Sequence, residues 1–493
     1  CNDLGLIKVD LLGLGMMAVL EECLTTIPRH YGEPLGLAHL PPDDPAVYAA
    51  LQKADTIGMF QVESRAQMSC LPRLKPKEFY DLVVQVAIIR PGPIVGRMLH
   101  PYLKRRQGLE KAECLHPSLE SVLRRTLGVP LFQEQLLRIA MIAANFTGGE
   151  AEELRRALGF RRSEKRMREV EAKLRRGMTA NGITGATQET IVQAITSFAL
   201  YGFPESHAAS FALLAYASAY LKCHYLAAFT AALLNHQPMG FYHPATIVKD
   251  AQRHGLRVRP VDVNVSGYAC AVEYPDLRLG LNYVRGLRKE IAQAIAAGKP
   301  YTSISDLKRR VPQIHQEELR TLAEIGALNS LRAGARHRRV ALWEAERVAR
   351  PAGPLLADLA APAPASPLRA MTPAERTAAD FAGTGLTLGL HPVGFHRAAL
   401  DRLRVVSAAR LAARRDGEPV RIAGSVICRQ RPGTAKGFLF LSLEDETGIA
   451  NAIVTPDVFD ANRAVLTGAP YLLLEGRLQN QQGAISVKAD RAE

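Results

Sequence analysis

The stretch IKVDLLGL (residues 7–14) joins an apolar strand carrying one lysine and one aspartate to a glycine turn. Side chains alternate across a strand, so Lys8 and Asp10 share one face and the apolar residues pack beneath them. A carboxylate beside an ammonium suits a divalent metal and a phosphate, because Mg²⁺ is usually held by carboxylates together with substrate phosphate oxygens. A salt bridge on a half-exposed strand explains the same pair, so the stretch alone leaves both interpretations open.

Composition indicates a multidomain protein with a polyanionic partner. A chain of 493 residues should hold roughly three or four domains. The net charge of +14 favours a polyanion, most simply nucleic acid. No run of about 18 residues is apolar enough to predict a membrane span, so no membrane association is expected. The chain opens on CNDLGLIKVD without a secretory leader, and we expect a piece of a longer cytoplasmic, nucleoid-associated protein.

Several classes of site lack support in the sequence. The seven cysteines are scattered and never spaced as CxxC, which argues against a zinc knuckle or a disulfide framework and favours a reducing compartment. The histidines form no HxH or HExxH pair, and the sequence contains no P-loop motif. A histidine metal cluster and P-loop nucleotide binding are therefore not expected.

Periodicity divides the chain into a helical part and a β-rich end. Met16–Ile27 is predicted to be a helix that Pro28 ends, and residues 40–235 are predicted to be mostly helical. The stretch Ala208–Leu234 carries few charges, which predicts a buried helix. An Ala/Pro-rich segment with six prolines, residues 349–376, is typical of a linker.

From Pro419 onward the pattern changes to short alternating strands. The predicted elements are strands at 419–430, 437–444, 448–454, 470–478 and 484–489 and a helix near 456–466. Five strands with a helix between the third and the fourth is the order of an OB-fold barrel.

The densest basic stretch, residues 154–178, holds ten Arg or Lys against three Glu. Part of this set must be a solvated helix face, since the side chains cannot all point one way. Arg155 and Arg156 differ from the rest because they follow an acidic helical turn and precede a glycine break. Two guanidinium groups at such a helix end could clamp a triphosphate by bidentate contacts.

The stretch 202–225 carries a further candidate site residue. Ser206 is the expected N-cap of the long apolar helix, with Pro204 fixing the entry of the chain. His207 then falls in the first helical turn. It either packs and caps there or contacts substrate directly.

Two stretches have the shape of a helix-hairpin-helix. In residues 280–295 a small-residue turn leads into a helix whose N-terminal amides can face a DNA phosphate. Arg285, Arg288 and Lys289 are the candidate DNA-binding side chains, although Arg288 stands where such hairpins usually carry glycine. Residues 317–331 supply a second hairpin, and the pair is more specific than either one.

The predicted strand at 437–443 alternates strictly. Its leucines share one face, whereas Phe438, Phe440 and Ser442 share the other. If the leucines fill the barrel, the two phenylalanine rings lie outside it, where they can stack on bases. The alternative is that these rings pack against the preceding segment.

Taken in order, the motifs resemble a bacterial family C DNA polymerase, the DNA polymerase III alpha-subunit family. The matching stretches are IKVDLLGL, DTIGMFQVESRAQM (55–68), RPGP (90–93), GVPLFQEQ (128–135), LRRALG (154–159) and GFPESHAASFALLAY (202–216). With the hairpins and the OB-fold, the resemblance covers essentially the whole chain. Residues 429–454 and the phenylalanine in LFQEQ resemble the error-prone, ImuC-type branch. The alternatives are a replicative alpha subunit and a non-catalytic nucleic-acid-binding module.

The resemblance implies a role for each matching residue. Asp10 matches the last of three palm aspartates that hold two Mg²⁺ ions, and Lys8 matches a lysine near the incoming nucleotide. Arg155 and Arg156 match fingers arginines that neutralise the triphosphate, and His207 joins them as a candidate dNTP contact. The implied reaction is template-directed transfer of dNTPs to a primer 3′-hydroxyl by a two-metal mechanism, in DNA damage tolerance and induced mutagenesis.

The sequence also departs from the family. The other two palm aspartates lie in a PDxD-type motif that this chain lacks, as it lacks the histidine-rich metal domain, the thumb and most of the palm. We therefore expect the C-terminal part of a polymerase, which binds DNA but does not polymerise by itself. GPLLADL (353–359) lacks the leading glutamine of the replicative clamp-binding motif, so direct clamp binding is not expected.

The expected partners are primer–template DNA, single-stranded template and dNTPs, with a Y-family-like accessory protein and, indirectly, the sliding clamp. The expected fold is multidomain α+β, with separate cores in the hairpin domain and the barrel. Its expected parts are the end of a nucleotidyltransferase-type palm (1–30), mainly α-helical fingers (31–240), a tandem helix-hairpin-helix domain (241–345), an Ala/Pro-rich linker (346–380), a connector (381–418) and a C-terminal β-barrel OB-fold (419–493).

Overall fold

Helices dominate the first half of the structure, a computed structural model that describes residues 11–89, 95–159, 164–198, 203–331, 337–348 and 366–493. They are α1 (Leu14–Tyr31), α2 (Pro45–Gln52), α3 (Arg65–Leu74), α4 (Phe79–Ile88), α5 (Val95–Arg106), α6 (Glu120–Leu123), α7 (Gln133–Ala144), α8 (Gly148–Gly159), α9 (Glu164–Ala180), α10 (Gly185–Phe198), α11 (Glu205–His224), α12 (Leu226–Asn235) and α13 (Pro244–Arg253). The helix predicted at 16–27 is confirmed, but Pro28 does not end it. Instead α1 continues to Tyr31 and stops where Gly32 adopts the left-handed conformation, with φ 75°.

The buried helix α11 is the centre of this half, and α1, α2, α4 and α12 pack around it. The single helix predicted at 208–234 is two helices, α11 and α12, because the backbone leaves the helical region at Tyr225. The predicted N-cap is wrong: Pro204 occupies that position, and Ser206 lies inside α11. Its side chain is not needed there, since the Glu134 carboxylate accepts the Glu205 N–H at 2.9 Å.

A second hydrophobic core lies among the helices from α6 to α10 and is separate from the core around α11. Helices α7 and α9 approach each other closely at Gly177. A Cβ at this position would lie 2.2 Å from the Ala144 carbonyl oxygen. The glycine is therefore required by the backbone of the neighbouring helix.

We expect Gly177→Ala to lower the free energy of unfolding by about 1–3 kcal/mol, because a backbone carbonyl cannot move aside as a side chain can. Urea unfolding measures the change. Gly149→Ala is the matched control, since a Cβ there meets no atom within 4 Å. Equal stability of the two variants would contradict the close approach.

The hairpin region follows the helices and contains a small three-stranded sheet. Its strands are β1 (Val258–Arg259), β2 (Ala271–Glu273) and β3 (Asp276–Arg278), and its helices are α14 (Lys289–Gly298), α15 (Ile304–Arg310), α16 (Gln316–Glu324), α17 (Arg338–Val348) and α18 (Pro373–Thr384). The expectation of a separate core here is wrong. The buried residues of this region belong to the same cluster as those around α11, because α12 packs directly on β2 and β3.

The five-stranded barrel is confirmed in close detail. After the connector helix α19 (Arg397–Arg402), its elements are β4 (Pro419–Gln430), β5 (Leu439–Glu444), β6 (Ile449–Val454), α20 (Pro456–Ala461), α21 (Arg463–Gly468), β7 (Tyr471–Gln481) and β8 (Ala484–Ala492). The strands close in the order β4-β5-β6-β8-β7, and β6 and β8 run parallel. The leucines of β5 are buried in the barrel's own core. None of the described helices has the length and apolarity to cross a bilayer.

Candidate nucleotide and nucleic-acid sites

The metal-binding and lysine positions predicted on the first strand, Asp10 and Lys8, lie outside the described residues. The residues that follow them, Leu11 and Leu12, are largely exposed. The roles of Lys8 and Asp10 therefore stay predictions.

The predicted triphosphate clamp lies on α8. Thr147 and Glu150 cap its N-terminus reciprocally, with N–H···O distances of 3.0 and 3.3 Å. Further along the helix Arg155 donates two hydrogen bonds to Glu152, and hydrogen bonding to this carboxylate raises the pKa of its guanidinium. This pair is exposed, so water competes for both charges and a ligand phosphate can displace the carboxylate at little cost. The side chain of Arg156 lies outside the described residues.

His207 lies in an aromatic row along α11. Its ring centroid is 4.2 Å from that of Phe211 and 5.2 Å from that of Phe203. Phe60, from the stretch 55–68, stacks on Phe211 at 5.2 Å. This geometry favours the packing interpretation of His207, and a direct substrate contact stays a prediction.

Three of the stretches that carry the family resemblance, 55–68, 128–135 and 202–216, meet around α11. The Phe60 N–H donates to Ser218 Oγ at 3.0 Å, which ties the stretch 55–68 to the helix. Tyr80 donates its hydroxyl proton to Glu205 Oε1 at 2.9 Å, next to the Glu134 contact described above. Segments far apart in sequence are thus held together by hydrogen bonds of motif residues.

A charged cluster of Lys222, Asp55, Asp250 and His254 lies between α11 and α13. Lys222 Nζ is 2.8 Å from Asp250 Oδ2 and 3.2 Å from Asp55 Oδ1, and the lysine is only 5% exposed. Burial alone would raise the pKa of Asp55, but the hydrogen bond from His254 and the charge of Lys222 lower it to about 2. Three of these residues could hold a metal ion by distance. The lysine ammonium already neutralises their carboxylates, so the cluster does not suit Mg²⁺.

Sequence reasoning missed this cluster, although a signal was present. Lys222 is the one lysine in the apolar stretch 208–234. A lone charge on a buried helix requires a partner, because an unpaired buried ammonium is costly. The partner Asp55 opens the stretch 55–68 that the resemblance had already singled out.

The first hairpin uses part of its predicted DNA-binding set internally. Arg288 donates to both carboxylate oxygens of Glu318, at 3.0 and 2.9 Å, and so joins the two hairpins. The Arg285 guanidinium donates to the Phe381 carbonyl oxygen at 3.1 Å, which anchors α18. Lys289 is exposed, near the face of Tyr268. Of the three side chains, Lys289 is the most available to a phosphate, and all three DNA contacts stay predictions.

The barrel phenylalanines are on its outside, as expected if the leucines fill the core. Phe438 and Phe440 are both half-buried. The Arg65 guanidinium lies 5.6 Å from the Phe440 ring centroid and donates to Ser442 Oγ at 2.7 Å. Arg65 belongs to the helical half, so this side of the barrel packs against it. Base stacking by the two rings stays a prediction.

Comparison with known proteins agrees with this architecture. Residues 16–182 match the model of the bacterial DNA polymerase III alpha subunit finger domain, and residues 255–340 match a helix-hairpin-helix motif. Among solved structures, asparaginyl-tRNA synthetase from Pyrococcus horikoshii is 28% identical over 18% of this chain and 22% of its own, with a TM-score of 0.16. That score is too low to carry an argument.

Curated relatives match nearly the whole chain. It is 50% identical over 99% of its length to an error-prone DNA polymerase of Anaeromyxobacter dehalogenans, covering 45% of that protein. It is 47% identical over 100% of its length to an error-prone DNA polymerase of Methylococcus capsulatus, covering 49%. The chain thus spans about half the length of these relatives. Over nearly its whole length the chain is similar to error-prone members of the bacterial DNA polymerase III alpha-subunit family.

Proposed function

We propose that this chain is the fingers, helix-hairpin-helix and OB-fold part of an error-prone DNA-directed DNA polymerase. The whole protein would add dNTPs to a primer 3′-hydroxyl during DNA damage tolerance. The observation that carries this proposal is 50% identity over 99% of the chain to a protein with that name. The meeting of the stretches 55–68, 128–135 and 202–216 around α11 supports it, because a plain DNA-binding module would not need them.

The proposed role of each site residue follows from the charge of its side chain. Asp10 would hold Mg²⁺, which when bound activates the primer hydroxyl and stabilises the leaving pyrophosphate. Lys8, Arg155 and Arg156 would neutralise the triphosphate, with Arg155 exchanging Glu152 for a phosphate. Lys289 would contact duplex phosphates. A Y-family-like accessory protein and, through it, the sliding clamp are proposed partners in the cytoplasm.

The chain by itself should bind primer–template DNA without sequence preference. We expect the logarithm of its affinity to fall linearly with the logarithm of salt concentration, since each neutralised phosphate releases counterions. Fluorescence anisotropy across a salt series measures this slope. Absence of binding at low salt would refute the proposed function.

We expect Arg155→Ala and Arg156→Ala, in a version that includes the full palm, to raise the KM for dNTP and lower kcat by about 10²-fold. The reason is that charge develops on the phosphates in the transition state. Single-nucleotide incorporation kinetics measure both constants. Arg175→Ala is the matched control, since Arg175 is an ion-paired arginine of the same region that no motif singles out. Unchanged constants in both variants would make the pair a solvated surface.

A further inference from the structure

An arginine-lined cleft lies where the connector meets the barrel. This open cleft has a volume of about 1040 Å³ and lies between the segment 401–414 and the edges of β4, β7 and β8. The connector is fixed as one wall, because the Val406 N–H donates to the Arg421 carbonyl oxygen at 2.8 Å. The cleft is thus a built feature of the fold.

Arginines outnumber carboxylates among the residues that line the cleft. The arginines are Arg402, Arg404, Arg410, Arg414, Arg421 and Arg491, against four carboxylates. Two of the carboxylates are already neutralised inside the cleft, by Arg414–Glu418 at 3.0 Å and Arg421–Glu475 at 2.7 Å. A third, Asp401, lies 3.8 Å from Arg397 outside the lining. The remaining charge of the cleft is positive.

Three of the lining arginines supply this charge. Within the described part of the chain, Arg402, Arg404 and Arg410 make no ion pair and no side-chain hydrogen bond, and all three are exposed. Arg404 holds the left-handed conformation, with φ 57°, which is unfavourable for any residue except glycine. Three free guanidinium groups therefore face one recess.

The side of the barrel that OB-folds commonly use for oligonucleotides is engaged elsewhere. That side is formed by the second and third strands, here β5 and β6. Arg65 reaches across it to Ser442 Oγ and to the Ala452 carbonyl oxygen, the latter at 3.4 Å. Nearby, Arg253 Nη2 is 2.8 Å from Glu444 Oε1. Part of this side is therefore covered by the helical half, so a strand that crosses the barrel would also need contacts on another surface.

We propose that the cleft lined by Arg402, Arg404 and Arg410 binds the phosphate backbone of single-stranded DNA. Guanidinium forks match phosphate oxygens bidentately, and walls on two sides suit one strand better than a duplex. None of the described lining residues is aromatic. The cleft would therefore recognise the phosphate charges of the strand and would not stack on its bases. The inference rests on the proposed DNA-binding function and adds a contact surface to it.

The test compares two triple variants of this chain by anisotropy with labelled oligo(dT). One variant carries Arg402→Gln, Arg404→Gln and Arg410→Gln. The matched control carries Arg415→Gln, Arg477→Gln and Lys488→Gln, which removes the same charge from exposed residues of the same region outside the lining. We expect at least tenfold weaker binding in the cleft variant and a salt slope smaller by ~2, from three contacts at ~0.7 each. The control should lose less than twofold.

Every other outcome would contradict the proposed cleft, the proposed function or both. Equal losses in the two variants would mean general charge attraction and would refute the cleft. Wild-type binding with an unaffected cleft variant would refute the cleft alone, whereas no binding by the wild type would refute the proposed function as well. Equally tight, cleft-dependent binding of poly-glutamate would assign the surface to an acidic protein. Thermal unfolding of both variants excludes misfolding as the cause.

Discussion

Replacing Asp10 with asparagine, in a version that includes the full palm, should abolish nucleotide incorporation and leave primer–template binding nearly intact. The substitution keeps the shape of the side chain but removes a charge that would hold Mg²⁺. Metal stabilisation of the transition state is worth several kcal/mol, which corresponds to a loss of about 10³-fold or more in rate. Single-turnover incorporation and DNA anisotropy, measured on the same preparation, separate the two effects.

The control for this substitution is Asp3→Asn, which removes an equal charge from the same segment outside the proposed strand pattern. It should retain incorporation. Incorporation by Asp10→Asn within tenfold of the wild type would refute the assignment of Asp10 as a metal ligand. A parallel loss of DNA binding would instead indicate damage to the fold.

The barrel was the most predictable part of the fold. The strand β4 has the same bounds as the prediction, 419–430, and the other strands differ by a few residues at their ends. The reason is that a small closed barrel imposes strict alternation, so Leu439, Leu441 and Leu443 could only point inward together. Local pattern and tertiary structure coincide there.

The two features that local patterns predicted incorrectly, a helix N-cap and a separate core, are determined by tertiary contacts. Ser206 is a good N-cap by residue type, but a carboxylate from α7 already accepts the amide proton at the start of α11. The hairpin region lacks a core of its own because the apolar faces of α12 and β3 pack together. Both contacts join residues distant in sequence, which periodicity within one segment does not reveal.

The candidate site was likewise only partly predictable from the sequence. The resemblance selected three stretches that meet around α11, but it did not predict how their residues are used. His207 packs between aromatic rings, and Arg288 joins the two hairpins. The unpaired arginines of the connector carried no motif at all, since their proximity depends on how the connector lies against β4. The sequence gives the residue types, but the fold decides which side chains contact each other.

The charged cluster around Lys222 should contribute strongly to the stability of the fold. We expect Lys222→Met to lower the free energy of unfolding by about 3–5 kcal/mol, because it leaves Asp55 and Asp250 without their buried cation. Denaturant unfolding at neutral pH measures the loss. The triple variant Lys222→Met, Asp55→Asn, Asp250→Asn should recover much of it, since no uncompensated charge remains. A loss below about 1 kcal/mol in the single variant would contradict this role.

The pH dependence of the same variant gives an independent check. The pKa of Asp55 is lowered to about 2 in the fold, from an ordinary 3.8, so its stabilising contribution is present above pH 3.8 and is lost toward pH 2. The hydrogen bond to Asp55 raises the pKa of His254 above 6.5, so the imidazolium contribution is present below pH 6.5 and is lost as pH rises through the raised value. The difference in stability between wild type and Lys222→Met should therefore shrink below pH 3.8, because a protonated Asp55 no longer needs the lysine. A difference that stays constant down to pH 2 would show that Lys222 acts by packing and not by charge.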